Sequence, residues 1–190
     1  MSQTEKAKQF AMQAHGEQLY GDQAYAEHLR RVSYQARELS QEYEVDPDLT
    51  GAVGWLHDCL EDTTTTAENL LSSGFDPRVV DAVVLLSHEK GEERSIYLKK
   101  ISQNLLALIV KSADNNDNAN KERNDKLARV EPERAQRLRN KYARERVTID
   151  EYLAKYIKVQ ATPVQVHSKT NRSIRKEGGV VSEPRAHDFI

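Results

Sequence analysis

Apolar side chains recur every three or four residues along most of the chain, which is the period of an amphipathic α-helix. The clearest case begins near residue 25, where one helical face collects Tyr25, Leu29, Val32, Ala36 and Leu39. His28 lies on the same face, so this helix is predicted to carry an imidazole toward the core.

Aspartate–proline pairs mark the starts of two further predicted helices. Asp46-Pro47 precedes an apolar stripe that continues to Leu60, and Asp76-Pro77 precedes a second stripe. Proline is favoured in the first turn of a helix, where its missing N–H has no helical partner to lose. The threonine run Thr63–Thr66 ends the first stripe and offers N-caps for a short intervening helix.

The apolar run Leu105–Val110 fits either a buried strand or a buried helix, and periodicity does not separate the two. We predict a helix, because no other segment supplies partner strands. Residues 133–157 then read as one long closing helix, and the fold class is all-α, a helical bundle. The periodicity stops near Gln160, so we expect one domain at 1–159 and a flexible or accessory extension at 160–190.

Composition limits the classes of function. The chain of 190 residues has 28 Lys+Arg against 30 Asp+Glu, a net charge of −2, which disfavours bulk binding to nucleic acid or to anionic membrane. Cys59 is the only cysteine, so an internal disulfide and cysteine-rich zinc sites are excluded. Neither a secretory leader nor a run of about 18 apolar residues is present, and we expect a cytoplasmic protein without a membrane span.

The strongest local chemical signal is the segment His57-Asp58-Cys59-Leu60-Glu61-Asp62. It places an imidazole and three carboxylates within six residues of a predicted helix, on one side of it, because helical neighbours are four residues apart. Burying such groups unpaired is costly, and a divalent cation would satisfy all of them. The alternative is a helix end whose acids face water and whose histidine is an ordinary core residue.

Two more residues add to this signal from distant parts of the chain. His28 lies on an apolar helix face, where a buried neutral histidine is the alternative to a metal ligand. Asp114 follows the apolar run by one helical turn and is expected at the edge of the core. Its alternatives are a simple helix-terminal acid or an ion-pair partner of Lys111.

Taken in order, His28, His57-Asp58 and Asp114 resemble the ligand set of the HD-domain metal-dependent phosphohydrolases. The flanking residues narrow the resemblance to the hydrolase domain of the RelA/SpoT alarmone enzymes and their short single-domain relatives. It covers roughly residues 5–155 and rests on four segments: Ala14–Gln18 with Tyr25–Leu29, Leu56–Asp58 with Glu61–Thr63, Leu86–Gly91, and Val110–Asp114 with Asn118.

The resemblance implies an all-α HD-domain bundle with a metal site in its core. It implies Mn²⁺ as the cofactor, although other divalent transition metals suit the same donors. The implied ligands are His28, His57, Asp58 and Asp114. Glu61 and Asp62 match the family pair that activates and orients water, and the sequence does not say which of the two takes the proton.

The implied reaction is removal of the 3′-pyrophosphate of (p)ppGpp, which yields GDP or GTP and pyrophosphate. Lys111, Asn118 and Tyr20 are the candidate substrate-binding residues, with a small-molecule nucleotide as the partner. The asparagines near 118 are also compatible with a simple helix end. For three further cations, phosphate contact and a solvated helix face both remain open: Lys121, Arg123 and Lys126.

The chain departs from the family pattern at three places around the expected nucleotide. Where the alarmone hydrolases have an arginine, this chain has Leu19 or Tyr20. Asn115 replaces the arginine that follows the metal aspartate, and Ala24 replaces a proline. These departures concern substrate recognition more than the metal site.

Two alternative functions therefore stay open. One keeps the site and changes the substrate to another phosphorylated nucleotide, such as NADPH. The other is an antitoxin-like protein that binds and neutralises a small alarmone synthetase. The intact set of buried acids favours an enzyme, since a pure binding protein has no need of them. Whether the chain forms a homo-oligomer is not determined by the sequence.

Overall fold

The computed structural model describes residues 1–160, so the expected extension, apart from Gln160, lies outside the described residues. Within this range the regular secondary structure is helical, including a short 3-10 helix at Gln41–Tyr43, apart from one small hairpin, which confirms the all-α prediction. The helices are α1 (Gln3–His15), α2 (Tyr25–Ser40), α3 (Pro47–Leu56), α4 (Cys59–Asp62), α5 (Ala67–Ser72), α6 (Pro77–Leu86), α7 (Arg94–Ile101), α8 (Leu105–Asn118), α9 (Lys121–Val130) and α10 (Pro132–Gln160).

The helix starts follow the local sequence signals. Asp46 and Asp76 are the N-caps of α3 and α6, and each side chain accepts a backbone N–H two residues later. Thr66 caps α5 with a reciprocal capping box. The run 105–110 is helical, as predicted, because Asn104 caps α8 and the following apolar side chains are enclosed by other helices.

The hairpin β1 (Leu19–Tyr20) and β2 (Gln23–Ala24) was not predicted. Strands of two residues are too short to show an alternating pattern in the sequence. Gly21 makes the turn with a φ of 67°, a conformation that glycine adopts without a steric penalty. The hairpin holds Tyr20 next to α2.

The predicted continuous helix through residue 60 is wrong in one respect, because it is broken at His57 and Asp58. Helix α3 ends at Leu56, and α4 begins at Cys59. Asp58 has φ −100° and ψ −2°, away from ideal helical values. No proline or glycine stands at the break, so the interruption comes from tertiary packing and not from local sequence.

Helix α3 forms the centre of the bundle, and its residues 49–56 are all buried. It packs against α1, α2, α6 and α8. At Gly54 the helix lies directly against α2, and a Cβ there would be 2.5 Å from Ser33 Cα. This close crossing brings His28 on α2 next to His57 at the end of α3.

Among the described residues, no helix is both long and apolar enough to cross a membrane.

Candidate metal centre and active site

Four predicted ligands from three parts of the chain meet in the core of the bundle. His28 Nε2 lies 3.5 Å from Asp114 Oδ1 on α8 and 3.6 Å from Asp58 Oδ2. His57 Nε2 lies 3.0 Å from Asp58 Oδ2 and 3.8 Å from Asp114 Oδ1. One ligand atom each from His28, His57 and Asp114 falls within 4.8 Å of the others, the spacing of a possible metal site.

Hydrogen bonds on the outer side of each imidazole fix the orientation of the ring. His57 Nδ1 lies 2.9 Å from the carbonyl oxygen of Gly54, and His28 Nδ1 lies 2.7 Å from Asp117 Oδ2. A carbonyl oxygen only accepts, so Nδ1 of His57 carries a proton and donates it. Both Nε2 atoms are then turned toward the centre, as in metal-binding histidines.

The residues fit a divalent cation. Among the residues that the structure describes, His57 Nε2 is the one buried side-chain nitrogen or oxygen without a hydrogen bond, since its 3.0 Å contact with Asp58 Oδ2 lacks hydrogen-bond geometry. Such an orphaned atom is expensive unless something else satisfies it. Two imidazole nitrogens and two carboxylates form a donor set that suits Mn²⁺, Fe²⁺, Co²⁺ and similar ions.

The electrostatics of the cluster support the same conclusion. Burial lowers the pKa of His57, but Asp58 and Asp114 outweigh burial and raise this pKa well above its usual value. Burial raises the pKa of Asp114, yet Lys111 and His57 hold it well below the ordinary range. The centre therefore favours positive charge, which a bound cation supplies in place of protons.

Asp58 is also connected to the predicted water-activating pair through Tyr25. The Tyr25 hydroxyl lies 2.7 Å from Asp58 Oδ2 and 2.6 Å from Asp62 Oδ2. Burial and the Asp58 charge raise the pKa of Tyr25 far above its usual value, so the hydroxyl stays protonated and donates. Asp62 is thus held beside the metal ligands through one intervening side chain.

Glu61 faces a small recess of about 140 Å³ next to the centre. Its Oε1 accepts a hydrogen bond of 2.5 Å from the backbone N–H of His88. The recess is lined by His57, Asp58, Glu61, Leu86, His88, Arg94, Tyr97, Lys111 and Lys141. Glu61 therefore shares one enclosed space with two of the predicted ligands, whereas Asp62 does not line it.

Three cations from three helices reach this recess. Lys111 Nζ lies 2.8 Å from Asp114 Oδ2, so the predicted substrate residue is also the ion-pair partner of a metal ligand. Arg94 makes a two-pronged contact with the buried Glu145, at 2.7 and 2.9 Å. Burial and the neighbouring cations lower the pKa of Lys141, as expected where like charges gather.

Tyr20 and Asn118 lie on the other side of the centre. The Tyr20 ring stacks on His28, with centroids 4.4 Å apart, and its hydroxyl bonds Asn118 Oδ1. Asn118 Nδ2 in turn donates to Asp114 Oδ1 at 2.5 Å. Both residues line a cavity of about 560 Å³, whose walls also include Arg123, Lys126, Arg134 and Tyr142.

The structure brings eight of the nine predicted site residues to the centre or its two cavities, and Asp62 is linked to the centre through Tyr25. Some residues at the site were not predicted, among them Tyr25, Asp117 and Arg94. The sequence pattern places Tyr25 on an apolar helix face, whereas the structure shows that its hydroxyl also contacts Asp58 and Asp62. Asp117 had a detectable signal, since it lies three residues after Asp114 on the same helical face. Nothing in the sequence singles out Arg94.

Comparison with known proteins identifies the class. The HD domain family matches residues 25–119, half of the chain, and the chain belongs to this family. The protein is therefore an enzyme of the metal-dependent HD phosphohydrolase superfamily, a hydrolase built on the helical HD fold.

A solved structure gives a more particular likeness. It is described as a metazoan ortholog of SpoT that hydrolyzes ppGpp and plays a role in starvation responses. It is 21% identical with a TM-score of 0.53, and the match covers 82% of this chain and 96% of that chain. At this identity the likeness establishes the shared fold. No curated protein matches the sequence.

Proposed function

We propose that this protein removes the 3′-pyrophosphate of (p)ppGpp in a reaction that depends on a divalent metal, with Mn²⁺ as the preferred ion. The observation that carries the proposal is the position of the ligand cluster between two unlike cavities. The small recess has three cations and suits a compact polyanion. The cavity of about 560 Å³, with its aromatic and cationic walls, suits a nucleoside.

The proposed ligands are His28, His57, Asp58 and Asp114. When bound there, a divalent ion supplies Lewis-acid polarisation of a phosphoryl oxygen and lowers the pKa of water. The two imidazoles present their Nε2 atoms because of the hydrogen bonds at Nδ1. Lys111 neutralises part of the Asp114 charge, and this leaves the centre able to accept an anionic substrate.

Glu61 is proposed as the general base and Asp62 as the residue that orients the water. Glu61 lines the recess where the phosphoryl groups would lie, so its carboxylate can take the proton of the attacking water. Water attacks the phosphorus bonded to the ribose 3′ oxygen, and the bond between that phosphorus and the 3′ oxygen breaks. The 3′ oxygen takes up the proton that Glu61 accepted from the water, and the products are pyrophosphate and GDP or GTP.

Tyr20, Asn118 and Lys111 are proposed to contact the substrate. Tyr20 lines the large cavity, and either Leu19 or Tyr20 stands where the alarmone hydrolases have an arginine. Both ends of the Asn118 amide are already bonded, to Tyr20 and to Asp114. The amide retains a second N–H and a second oxygen lone pair, with which it can contact a nucleoside.

A second candidate is hydrolysis of another phosphorylated nucleotide, such as NADPH. The observation in its favour is Tyr20 itself, because tyrosine lacks the fork of donors that arginine offers to guanine or phosphate. The antitoxin-like binding protein requires no catalytic centre, and the orphaned His57 Nε2 argues for the enzyme.

The decisive experiment measures turnover of ppGpp, pppGpp, GTP, ATP and NADPH by the full chain with added Mn²⁺. The blank is Asp58→Ala, and the matched control is Asp81→Asn, an exposed acid on α6. We expect pyrophosphate and GDP from ppGpp, loss of at least about 100-fold in kcat with Asp58→Ala, and no change with Asp81→Asn.

Other outcomes separate the alternatives. Phosphate release from NADPH without turnover of ppGpp would replace the alarmone with the second substrate class. If the protein binds Mn²⁺ and turns over none of the five nucleotides, the alarmone hydrolase is wrong. The binding function then becomes the leading explanation.

A further inference from the structure

Asp117 lies behind the metal centre, where its carboxylate contacts three other side chains. Its carboxylate is 3% exposed, and Oδ2 lies 2.7 Å from His28 Nδ1. Arg31 Nε donates to Oδ1 at 2.6 Å, and the Arg123 guanidinium donates to Oδ2 at 3.1 and 3.2 Å. One buried carboxylate thus receives an imidazole and two guanidinium groups.

These contacts continue from Arg123 through Tyr20, in the wall of the large cavity, and back to His28. The Arg123 guanidinium lies 4.6 Å from the Tyr20 ring centroid, and Tyr20 stacks on His28 at 4.4 Å. Arg123 therefore covers one face of Tyr20 while it also holds Asp117. His28 is fixed from two directions, at its ring face by Tyr20 and at Nδ1 by Asp117.

We infer that Asp117 is a positioning residue of the metal centre, which acts on the metal through His28. The hydrogen bond to Nδ1 selects the tautomer with a lone pair on Nε2 and prevents the ring from flipping. The negative charge makes the imidazole a stronger ligand. The two arginines hold the carboxylate in place and compensate its burial. This inference rests on the proposed metal centre.

A purely structural ion pair is the competing explanation. It predicts that removing the Asp117 charge lowers folding stability without a specific effect on metal binding. A positioning role predicts weaker metal binding even in a variant that folds normally. The two explanations are therefore separated by metal affinity measured on the folded protein.

The test titrates the metal-free full chain with Mn²⁺ by calorimetry, with no nucleotide present. Asp117→Asn keeps an oxygen acceptor for His28 and removes the charge, whereas Asp117→Ala removes both. We expect Asp117→Asn to weaken Mn²⁺ binding on the order of 10-fold and Asp117→Ala on the order of 100-fold. The matched control is Asp125→Asn, an exposed acid also held by two cations, Lys121 and Arg139.

A second readout does not depend on the metal. In proton NMR of the metal-free protein, the His28 Nδ1 proton should be strongly deshielded by its short bond to Asp117. Asp117→Asn should shift this signal upfield, and Asp125→Asn should leave it unchanged. Circular dichroism and thermal unfolding verify that each variant is folded, and Asp117→Asn serves as the test if Asp117→Ala does not fold.

The results distinguish this inference from the proposed function. If wild type and folded Asp117→Asn bind Mn²⁺ equally, the positioning role is wrong and the hydrolase proposal stands. If Asp117→Asn binds more weakly but wild type does not hydrolyse ppGpp, the positioning role stands and the substrate is wrong. If wild type binds no divalent metal, both are overturned.

Discussion

At the residue scale, the Tyr25 hydroxyl has two carboxylate acceptors and a single proton. It lies within 2.7 Å of both Asp58 and Asp62 and can donate to only one of them at a time. When Asp58 is engaged as a ligand, Asp62 is the remaining acceptor. Tyr25 then orients Asp62, which is the role that the proposed mechanism requires.

We therefore predict that Tyr25→Phe lowers kcat about tenfold. The reason is that a hydrogen bond to a charged group contributes about 1.5 kcal/mol, close to a factor of ten in rate. KM should change little, because the ring and its packing are retained. Steady-state kinetics beside Tyr34→Phe, an exposed tyrosine on α2, provide the control. An unchanged kcat would contradict the role assigned to the hydroxyl.

At the scale of elements, the crossing of α2 and α3 determines the distance between the two imidazoles. Gly54 permits this crossing, since a Cβ there would lie 2.5 Å from Ser33 Cα and 2.9 Å from Ser33 N. The same residue supplies the carbonyl that orients His57. Packing of the two helices and positioning of one ligand thus depend on a single glycine.

Gly54→Ala should destabilise the fold by about 1–3 kcal/mol through overpacking against backbone that cannot move aside. It should also weaken Mn²⁺ binding, because α2 and α3 are pushed apart. Urea unfolding and metal titration measure the two effects. Gly51→Ala is the comparison variant: the three atoms nearest to its Cβ belong to the side chains of Thr4 and Arg37 and not to backbone, so we expect a smaller loss. Equal stability losses in the two variants would contradict this account.

At the scale of the whole molecule, the candidate metal centre joins segments that are far apart in sequence. Helix α2, the break after α3 and helix α8 each contribute ligands, and the acids among them repel one another without a cation. A bound metal should therefore link these segments and stabilise the entire bundle. In energetic terms, a ligand that binds only the folded state stabilises it according to its concentration relative to Kd.

Mn²⁺ at about 100 times its Kd should stabilise the protein by about 2.7 kcal/mol. For a chain of this size, this corresponds to a rise of about 5–10 °C in the thermal midpoint. Differential scanning fluorimetry with Mn²⁺, and again after excess EDTA, measures the shift and its reversal. Asp114→Asn should show no rise. A rise of equal size in that variant would mean that the metal binds elsewhere.

Much of the fold and of the candidate site could be predicted from the sequence, because these features are local or follow a family order. Asp46, Asp76 and Thr66 cap their helices with side chains that reach only two or three residues ahead. The spacing of His57, Asp58, Glu61 and Asp62 shows a chemical cluster without any tertiary information. The order of His28 and Asp114 around it identified the metal-dependent class.

Only the tertiary structure decided how these groups are oriented and supported. The break at His57 and Asp58, the hydrogen bond from His28 to Asp117 and the ion pair of Arg94 with Glu145 depend on other segments. The last two join residues 89 and 51 positions apart. Helical periodicity can be recognised in the sequence because a helix is formed by backbone hydrogen bonds between residues close in the chain. The partner of a buried side chain depends instead on which distant helix packs against it.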